Sequence, residues 1–267
     1  MLRLLAVLLT LFFLPGALAA DSERQPIDAE TLSAIVKTMA SDAFGGRAPG
    51  TPAETRTVKY LVDRLRAIGL QPGGPDGCWT QDVPMLRTQV QAPAAMVFKS
   101  GKARLALAQG DTVEVSTTLP LESIDAQDVP VVFVGFGATA PEQDWDDYGD
   151  IDLTGKLAVF LVNDPDFAAP PGEPVAGRFG GRRMTYYGRW AYKFEEAARR
   201  GAFGALVIHE TEAAGYDWSV AAAGAGERVA LDGGDTAAGS ITVQGWLHND
   251  TAAAVLAMAG QNLDDLR

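Results

Sequence analysis

Cysteine and histidine are almost absent from this sequence of 267 residues, which contains one Cys and two His. Cys78 has no partner for an internal disulfide, and no cysteine pair is available for a zinc site. Stability must therefore come from packed cores, and Cys78, among Gly, Pro and Trp residues, is expected to be structural. A Cys–His nucleophile would need an adjacent histidine, and nothing in the sequence places His209 or His248 beside it.

Basic residues are also few. The sequence has 22 Lys and Arg residues against 34 Asp and Glu residues, a net charge of −12 and a pI near 4.6. This balance argues against nucleic acid or an anionic membrane as a partner. The sequence also has no G-x-S-x-G elbow, Walker loop or dinucleotide-binding fingerprint, so these common enzyme motifs give no indication of function.

The longest apolar run lies at the amino terminus. Arg3 precedes the run Leu4–Leu14, and Ala17-Leu18-Ala19 has the A-x-A form of a cleavage site. The run is too short to span a bilayer. Residues 1–19 are therefore predicted to be a signal peptide, and the protein is predicted to be exported to the periplasm or the extracellular space, with no membrane span after cleavage.

Two amphipathic helices are predicted before residue 70. Asp28 is expected to cap the first, and Thr51 the second, where Pro52 suits the first helical position and Glu54 completes a capping box. Gly69 is expected to end the second helix. Their apolar stripes are Leu32, Ile35, Val36 and Met39 in the first helix and Val58, Leu61, Val62, Leu65 and Ile68 in the second. Two such helices cannot bury both stripes on each other, so an exposed apolar patch is expected.

A β-rich pattern begins at Val83. Short strands are predicted at 95–98, 104–108, 113–116, 131–134 and 241–247, and buried strands at 157–162 and 205–208. Between the buried strands, Trp190, Phe194, Ala197 and Ala198 fall at helical spacing and are predicted to face inward. Long loops are predicted at 165–181 and 216–239, and a last helix through Met258.

These patterns predict an α/β fold of mixed α+β type. A β-rich domain with a crossover helix is expected at residues 83–247. It is flanked by an N-terminal helical pair within residues 20–82 and by a C-terminal helix within residues 248–267. The Gly- and Pro-rich stretch Gln71–Asp82 is the predicted boundary.

Three segments carry a resemblance to a known family. They read MASDAFGGRAPGTPAETRTVKYLVDRLRAIGLQPGG at 39–74, VVFVGFGATAPEQDWDDYGDIDLTGKLAVFLVNDPDF at 131–167 and TYYGRWAYKFEEAARRGAFGALVIHE at 185–210. They resemble the secreted co-catalytic zinc aminopeptidases, peptidase family M twenty-eight, and the protease-associated (PA) domain within them. The resemblance implies that 83–247 is the PA domain, that 20–82 is the edge of a peptidase domain, and that 248–267 leads to a catalytic domain.

The resemblance also implies which chemistry a full-length relative performs. Such a relative would hold two zinc ions and remove N-terminal residues from peptides. The family's ligands are a His-x-Asp pair, a bridging Asp, adjacent glutamates, a further acid and a last His. No counterpart of that segment is found here, so this chain is predicted to have no catalytic residue, metal ligand or cofactor of its own. Whether it is an enzyme stays open.

Three short matches to zinc ligands have simpler interpretations. His248-Asn249-Asp250 has the His-x-Asp spacing but is predicted to start the last helix. Glu195 and Glu196 are neighbours on a helix and point about 100° apart, so they are predicted to be surface carboxylates pairing with Arg199 or Arg200. His209, in the weak cluster with Glu210 and Glu212, is expected to be structural.

The acidic loop Asp144–Asp152 leaves calcium binding open. Its sequence, DWDDYGDID, is similar to a calcium loop in composition but lacks the glutamate at EF-hand spacing. A solvated turn is the preferred interpretation.

A basic and aromatic patch is the candidate binding site. Arg178, Arg183, Tyr186, Tyr187 and Arg189 are predicted to contact a substrate or another domain, since Arg and aromatic residues dominate recognition sites. The alternative is that Trp190 and one tyrosine pack in the core and the arginines are solvated.

Two functions remain open from the sequence. In the first, the chain is the N-terminal and PA portion of an exported zinc aminopeptidase-like protein, non-catalytic by itself, with a peptide or protein substrate or the catalytic domain as its partner. In the second, it is a self-contained exported module of PA type that binds peptide or protein.

Overall fold

The computed structural model describes residues 27–91, 96–232 and 241–267. The predicted signal peptide lies outside these residues. Residue 95 of the strand predicted at 95–98 and residues 233–239 of the loop predicted at 216–239 also lie outside them. The chain divides into two compact units, one ending at Gln81 and the other beginning at Asp82. Each unit is described separately.

The helices and strands alternate irregularly along the chain. The α-helices are α1 (Ala29–Met39), α2 (Pro52–Ala67), α3 (Trp190–Arg199), α4 (Thr211–Ala214), α5 (Trp218–Ala222) and α6 (Asn249–Met258). The strands are β1 (Met85–Gln89), β2 (Met96–Ser100), β3 (Ala103–Leu107), β4 (Val113–Ser116), β5 (Val131–Gly135), β6 (Thr139–Ala140), β7 (Trp145–Asp146), β8 (Leu157–Leu161), β9 (Gly204–His209), β10 (Glu227–Leu231) and β11 (Val243–His248). Short 3-10 turns lie at Asp42–Arg47, Pro75–Gly77, Pro141–Gln143 and Asp264–Leu266.

The first unit begins both of its helices at the predicted caps. The Asp28 carboxylate accepts hydrogen bonds from the main-chain N–H groups of Glu30 and Thr31. Thr51 Oγ1 accepts from the Glu54 N–H at 3.4 Å. The Glu54 carboxylate accepts from the Gly50 N–H at 2.7 Å, so the capping box closes one residue earlier than its usual form.

The apolar stripes of α1 and α2 are largely exposed, as expected for two helices without a sheet. Within residues 27–81 Ala53 is the one buried side chain. Val36 is 57% exposed, Leu61 41% and Ile68 71%. A T-shaped contact between Phe44 and Tyr60, with ring centroids 5.6 Å apart, supplies part of the limited packing.

The second unit is built on a five-stranded sheet with the order β4-β11-β9-β8-β5. Strand β4 runs antiparallel to β11, and the other neighbours are parallel. The predicted buried strands at 157–162 and 205–208 become β8 and β9 at its centre, which confirms both. Separate two-stranded pairs are β1 with β10, β2 with β3, and β6 with β7.

Alternate residues of the central strands contribute to two hydrophobic cores, one on each face of the sheet. Ala158, Phe160 and Val207 point to one face, where Phe194 and Ala197 of α3 cover them. Val159, Leu161, Leu206, Ile208 and Leu247 point to the other face, where Ala252 and Leu256 of α6 pack. Because both faces are covered, the central strands read as continuous apolar runs.

Helix α3 differs in part from its predicted inward stripe. Phe194 and Ala197 are buried, but Trp190 is 44% exposed. Tyr192 and Lys193 are buried instead. The helix starts at Trp190, so no preceding helical turn covers this residue.

The predicted loop at 216–239 was wrong within the residues that the structure describes. It contains α5 and β10, and β10 pairs antiparallel with β1. Residues of β10 alternate between half-buried and exposed, which a search for apolar runs does not detect. The loop predicted at 165–181 contains turns only, as expected.

The expected mixed α/β fold class is confirmed by this arrangement of a mixed sheet between helices. The assignment of 83–247 to a PA domain stays a prediction. Among the residues with described positions, no helix combines the length and the apolar character needed to cross a membrane.

Candidate functional site

A cleft of about 400 Å³ lies at the carboxyl edge of the parallel strands. Strands β5, β8 and β9 end at this edge, and their last or following residues Gly135, Leu161 and Glu210 line the cleft. Ligands of open α/β sheets bind outside the carboxyl ends of the strands. We refer to this site as the edge cleft.

The edge cleft has an apolar wall and a charged rim. Its apolar and aromatic lining includes Phe136, Trp145, Leu161, Val162 and Phe167. Its charged lining is Asp147, Glu173, Glu210 and Arg267. Ligand sites typically combine a mostly apolar lining with a few placed polar groups.

Two of the charged lining groups are held in fixed positions. The Arg267 guanidinium lies 2.8 Å from the Glu210 carboxylate, donates to Asn249 Oδ1 at 3.0 Å and also pairs with Asp264. Asp147 accepts from the Ala138 N–H and from Trp145 Nε1, both at 2.9 Å. Burial raises the pKa of the Asp147 carboxyl, against the opposing effect of those hydrogen bonds.

A buried ammonium group lies beside the cleft and contacts one of its lining residues, Phe136. Lys193 on α3 is fully buried, and its Nζ donates to the carbonyl oxygens of Phe136, Asn163 and Tyr187. These carbonyls follow β5, follow β8 and precede α3. Burial lowers the pKa of Lys193 to about 7, although the nearby carboxylates of Asp164 and Asp147 act in the other direction.

Buried carboxylates fix the long loop between β8 and α3. Asp164 accepts from the N–H and the hydroxyl of Thr185, both at 2.6 Å. Asp166 Oδ2 accepts from the N–H groups of Phe179 and Gly181 at 2.9 Å. Burial raises the pKa of Asp164. The loop that borders the cleft is therefore tied to the end of β8 at several points.

Of the predicted patch, Arg178 contacts the aromatic wall of the cleft, and Tyr187 lies behind that wall, on Phe179, which contacts Trp145. The Arg178 guanidinium stands 5.5 Å from the Trp145 ring centroid and donates to the Asp144 carbonyl at 3.3 Å. The Tyr187 ring makes edge contacts with Phe179 and Tyr192, and its hydroxyl donates to Glu142 at 2.8 Å. That hydrogen bond, with burial, raises the pKa of Tyr187 to about 12.

The other three predicted residues are placed differently. Tyr186 is 54% exposed, and its hydroxyl donates to Glu195 on α3 at 2.5 Å. Arg183 and Arg189 are exposed, Arg189 at the start of α3. A neighbouring arginine, Arg182, instead stacks at 5.0 Å from the Phe167 ring of the cleft.

Sequence reasoning missed Lys193, Glu210 and Arg267 as residues of this region. Lys193 is a charged residue of an amphipathic helix, so its residue type gave no signal of burial. Glu210 and Arg267 are far apart in sequence and meet only because α6 and the last turn pack on the sheet. A signal was available for Glu210, since it directly follows a buried strand.

The acidic loop at 144–152 uses several carboxylates to stabilise turns. Asp146 Oδ1 accepts from the Tyr148 N–H at 3.0 Å, and Asp152 accepts from the Thr154 N–H at 2.9 Å. Within residues 27–91, 96–232 and 241–267, no cluster of three or more His, Cys, Asp or Glu side chains is arranged to hold a metal ion.

The contacts of the two histidines indicate structural roles. His209 is buried among the rings of Tyr216, Trp218 and Trp246, and burial lowers its pKa. His248 caps α6 through Nδ1, which accepts from the Asp250 N–H at 3.3 Å.

One expectation about the glutamates was wrong. Glu196 is 2% exposed rather than a surface residue, and it forms ion pairs with Arg199 and, at 2.6 Å, with Arg200. It is buried because its side of α3 packs beside Tyr148. Burial, with a smaller contribution from the Glu196 charge, raises the pKa values of Tyr148 and Tyr192. Glu195 is exposed, as expected.

Comparison with known proteins gives two similar solved structures. An aminopeptidase from Aneurinibacillus sp. strain AM-1 is 17% identical, with 88% of this chain and 42% of that chain covered and a TM-score of 0.32. BSAP, a zinc aminopeptidase from Bacillus subtilis, is 16% identical, with 68% and 33% covered and a TM-score of 0.27. The chain thus spans less than half the length of either. No family model and no curated protein matches it.

Proposed function

We propose that this chain is the peptide-contacting, non-catalytic portion of an exported protein related to the zinc aminopeptidases, with residues 83–247 as its PA domain. The observation that carries the proposal is the edge cleft, whose apolar wall and fixed charges suit a peptide. The sequence resemblance of the segments at 39–74, 131–167 and 185–210 supports the same class. Zinc would belong to the catalytic part of a full-length relative, and no residue of this chain is assigned to it.

The chemistry of the cleft favours a peptide over a small polar metabolite. Its volume suits one or two amino-acid side chains, and its wall is apolar and aromatic. The Arg178 and Arg182 guanidinium groups stack against Trp145 and Phe167. Arg178 also donates to the Asp144 carbonyl and Arg182 pairs with Glu212, and their remaining N–H donors lie beside the wall for peptide carbonyl oxygens. Arginine and aromatic residues together are typical of binding hot spots.

Calorimetry with a defined peptide panel tests this role. The panel consists of alanine-based pentapeptides with Leu, Phe, Lys or Glu at the first position. At least one peptide is expected to bind, and Phe167→Ala and Arg182→Ala are expected to weaken binding about three- to tenfold, because Phe167 is part of the wall and Arg182 stacks on it. Arg104→Ala is the matched control, since Arg104 is an exposed arginine of β3 that bonds only to nearby carbonyls.

Two results would contradict the proposal. Absence of binding across the panel, or unchanged affinity in both cleft variants, would remove the edge cleft as a peptide site. Separately, turnover of aminoacyl chromogenic substrates in the presence of added zinc, lost on changing His209 or His248, would contradict the non-catalytic assignment.

A self-contained exported binding module is the second candidate. It is favoured by the compactness of the unit that begins at Asp82, which has its own sheet and a core on each face. Reading the transcript beyond the Arg267 codon separates the two candidates. A downstream His-x-Asp strand and adjacent glutamates in frame would support the aminopeptidase portion, and a stop codon would support the module.

A further inference from the structure

A second cleft, of about 380 Å³, lies on the α3 face of the sheet. Its walls are aromatic: Trp190 at the start of α3, Tyr216 after α4, and Trp246 on β11. It shares no lining residue with the edge cleft. We call it the aromatic cleft.

The rings of the aromatic cleft are held in place from behind. Trp246 and Tyr216 contact each other edge to face at 6.1 Å, and both contact the buried His209 ring, at 5.7 and 5.5 Å. Trp190 packs on Phe194 with ring centroids 5.6 Å apart and still exposes 44% of its surface. The walls are therefore preorganised, with one large indole face open to a ligand.

A single cation lies in the lining of this cleft. Arg228, on β10, is half-buried, and its side chain donates to its neighbour's carbonyl, Glu227 O, at 2.9 Å. Among the residues that the structure describes, it forms no ion pair. Gly224, also in the lining, leaves room for the guanidinium, because a Cβ there would stand 3.0 Å from an Arg228 nitrogen.

A carboxylate close to Arg228, that of Glu114, interacts with its charge but already accepts other hydrogen bonds. Glu114 is fully buried opposite Trp246 in the β4–β11 pair, and it accepts from the Gly226 N–H and from Gln109 Nε2. These bonds hold the turn before β10, so Glu114 positions the segment that carries Arg228. The guanidinium keeps donors available for another anion.

We propose that the aromatic cleft binds an aromatic carboxylate, with the ring against Trp190 and Trp246 and the carboxylate on Arg228. The volume suits one ring and its acid group. Arg228 disfavours a cationic ligand, while a neutral aromatic would leave the free donors of its guanidinium without an acceptor in a half-buried site. The carboxylate could be the C-terminal group of a peptide ending in an aromatic residue or that of a free small acid.

Calorimetry with matched ligands tests the inference. N-acetylphenylalanine is expected to bind about fivefold or more tightly than N-acetylphenylalaninamide, which has the same ring and no charge, because a charge-assisted bond to Arg228 is lost. Arg228→Gln should reduce the affinity for the acid to that for the amide. Trp190→Ala should weaken both ligands, and Gly224→Ala should weaken the acid selectively by displacing the guanidinium.

The controls separate this site from general charge effects and from the edge cleft. Arg104→Gln makes the same charge change on β3 and should leave both affinities unchanged. Phe167→Ala, a variant of the edge cleft, should also have no effect. The pentapeptide Ala-Ala-Ala-Ala-Phe and phenylacetate identify the source: tighter binding of the first assigns a peptide C-terminus, and tighter binding of the second assigns a small acid.

The inference is overturned if acid and amide bind equally, if neither binds, or if Arg228→Gln leaves the preference for the acid intact. It does not rest on peptide binding at the edge cleft, since either site can fail while the other holds.

Discussion

In the unit that ends at Gln81, Leu61 and Leu65 are 41% and 37% exposed, whereas in the unit that begins at Asp82, Leu161 and Leu247 are 2% and 1% exposed. Leucine side chains are thus exposed in the first unit and buried in the second. The second unit has a sheet with two faces, and α3 and α6 each cover one of them. The comparison teaches that amphipathic periodicity specifies a helix, while burial of its apolar side requires a surface that the helix does not supply.

Equivalent truncations in the two units should show the largest difference. Phe160→Ala is expected to destabilise the second unit by about 3–5 kcal/mol, because Phe160 is fully buried in the α3-side core. Leu65→Ala in α2 should cost about 0.5 kcal/mol or less. Denaturant unfolding followed by circular dichroism and tryptophan fluorescence measures the first effect, and hydrogen exchange of the α2 amides measures the second. Equal costs would contradict the comparison.

A pair of glycine substitutions isolates packing from backbone strain. Gly137 and Gly46 both have positive φ, 65° and 77°. A Cβ at Gly137 would stand 2.4 Å from the Phe160 ring, whereas a Cβ at Gly46 would meet nothing within 4 Å.

Both Gly→Ala changes should therefore cost about 1–2 kcal/mol of backbone strain, and Gly137→Ala should cost about 1–3 kcal/mol more through overpacking. Thermal unfolding of the two variants checks the difference. If the Gly137→Ala variant is as stable as the Gly46→Ala variant, the core around Phe160 accommodates an added methyl group without cost, which contradicts the prediction.

The buried ammonium should give the core a pH dependence of defined sign. Unfolded Lys193 has the ordinary pKa of 10.5, and the folded value is lowered to about 7. Between these values the unfolded chain binds more protons, so the stability of the protein rises with pH.

Relative to Lys193→Met, the wild-type free energy of unfolding should increase by at most about 1.4 kcal/mol per pH unit from pH 7 toward pH 10. Parallel denaturant titrations at several pH values measure this difference. Lys102→Met, at an exposed lysine, is the control and should show no such slope. If the stability of the wild type relative to Lys193→Met falls as the pH rises, the lowered pKa of the buried Lys193 is contradicted.

The smallest effect is expected for polar substitutions on the exposed stripe. The double variant Leu61→Gln and Leu65→Gln should change stability by about 0.5 kcal/mol or less, because both residues are exposed. It should reduce the fluorescence of a bound hydrophobic dye, since the apolar patch is smaller. Unchanged dye fluorescence would place the dye elsewhere and weaken the account of the first unit.

Local chemistry explains which parts of the fold were predictable. The caps at Asp28 and Thr51 and the buried strands β8 and β9 follow from neighbouring residues alone. Strand β10 was missed because its stability comes from pairing with β1, distant in sequence. The burial of Glu196 was missed because helical spacing does not reveal how wide the covered side of α3 is.

The candidate sites were less predictable than the strands. Residue type indicated Arg178, which stacks on Trp145 of the edge cleft, and Tyr187, which packs on Phe179 behind that ring. Composition could not indicate the Glu210–Arg267 pair or Lys193, because each depends on strand ends converging in space. The role of the predicted residues in binding stays a prediction.

The hydrogen bonds that Asp164 and Asp166 accept determine where the long loop between β8 and α3 can change length. Between Phe179 and Thr185 the main chain is held by both carboxylates, so an inserted residue there would displace amide groups from buried acceptors. Between Ala168 and Glu173 most residues are exposed, and extra residues could extend outward. Added length at this second stretch would deepen the rim of the edge cleft while leaving the sheet unaltered, which gives related chains a simple route to different cleft depths.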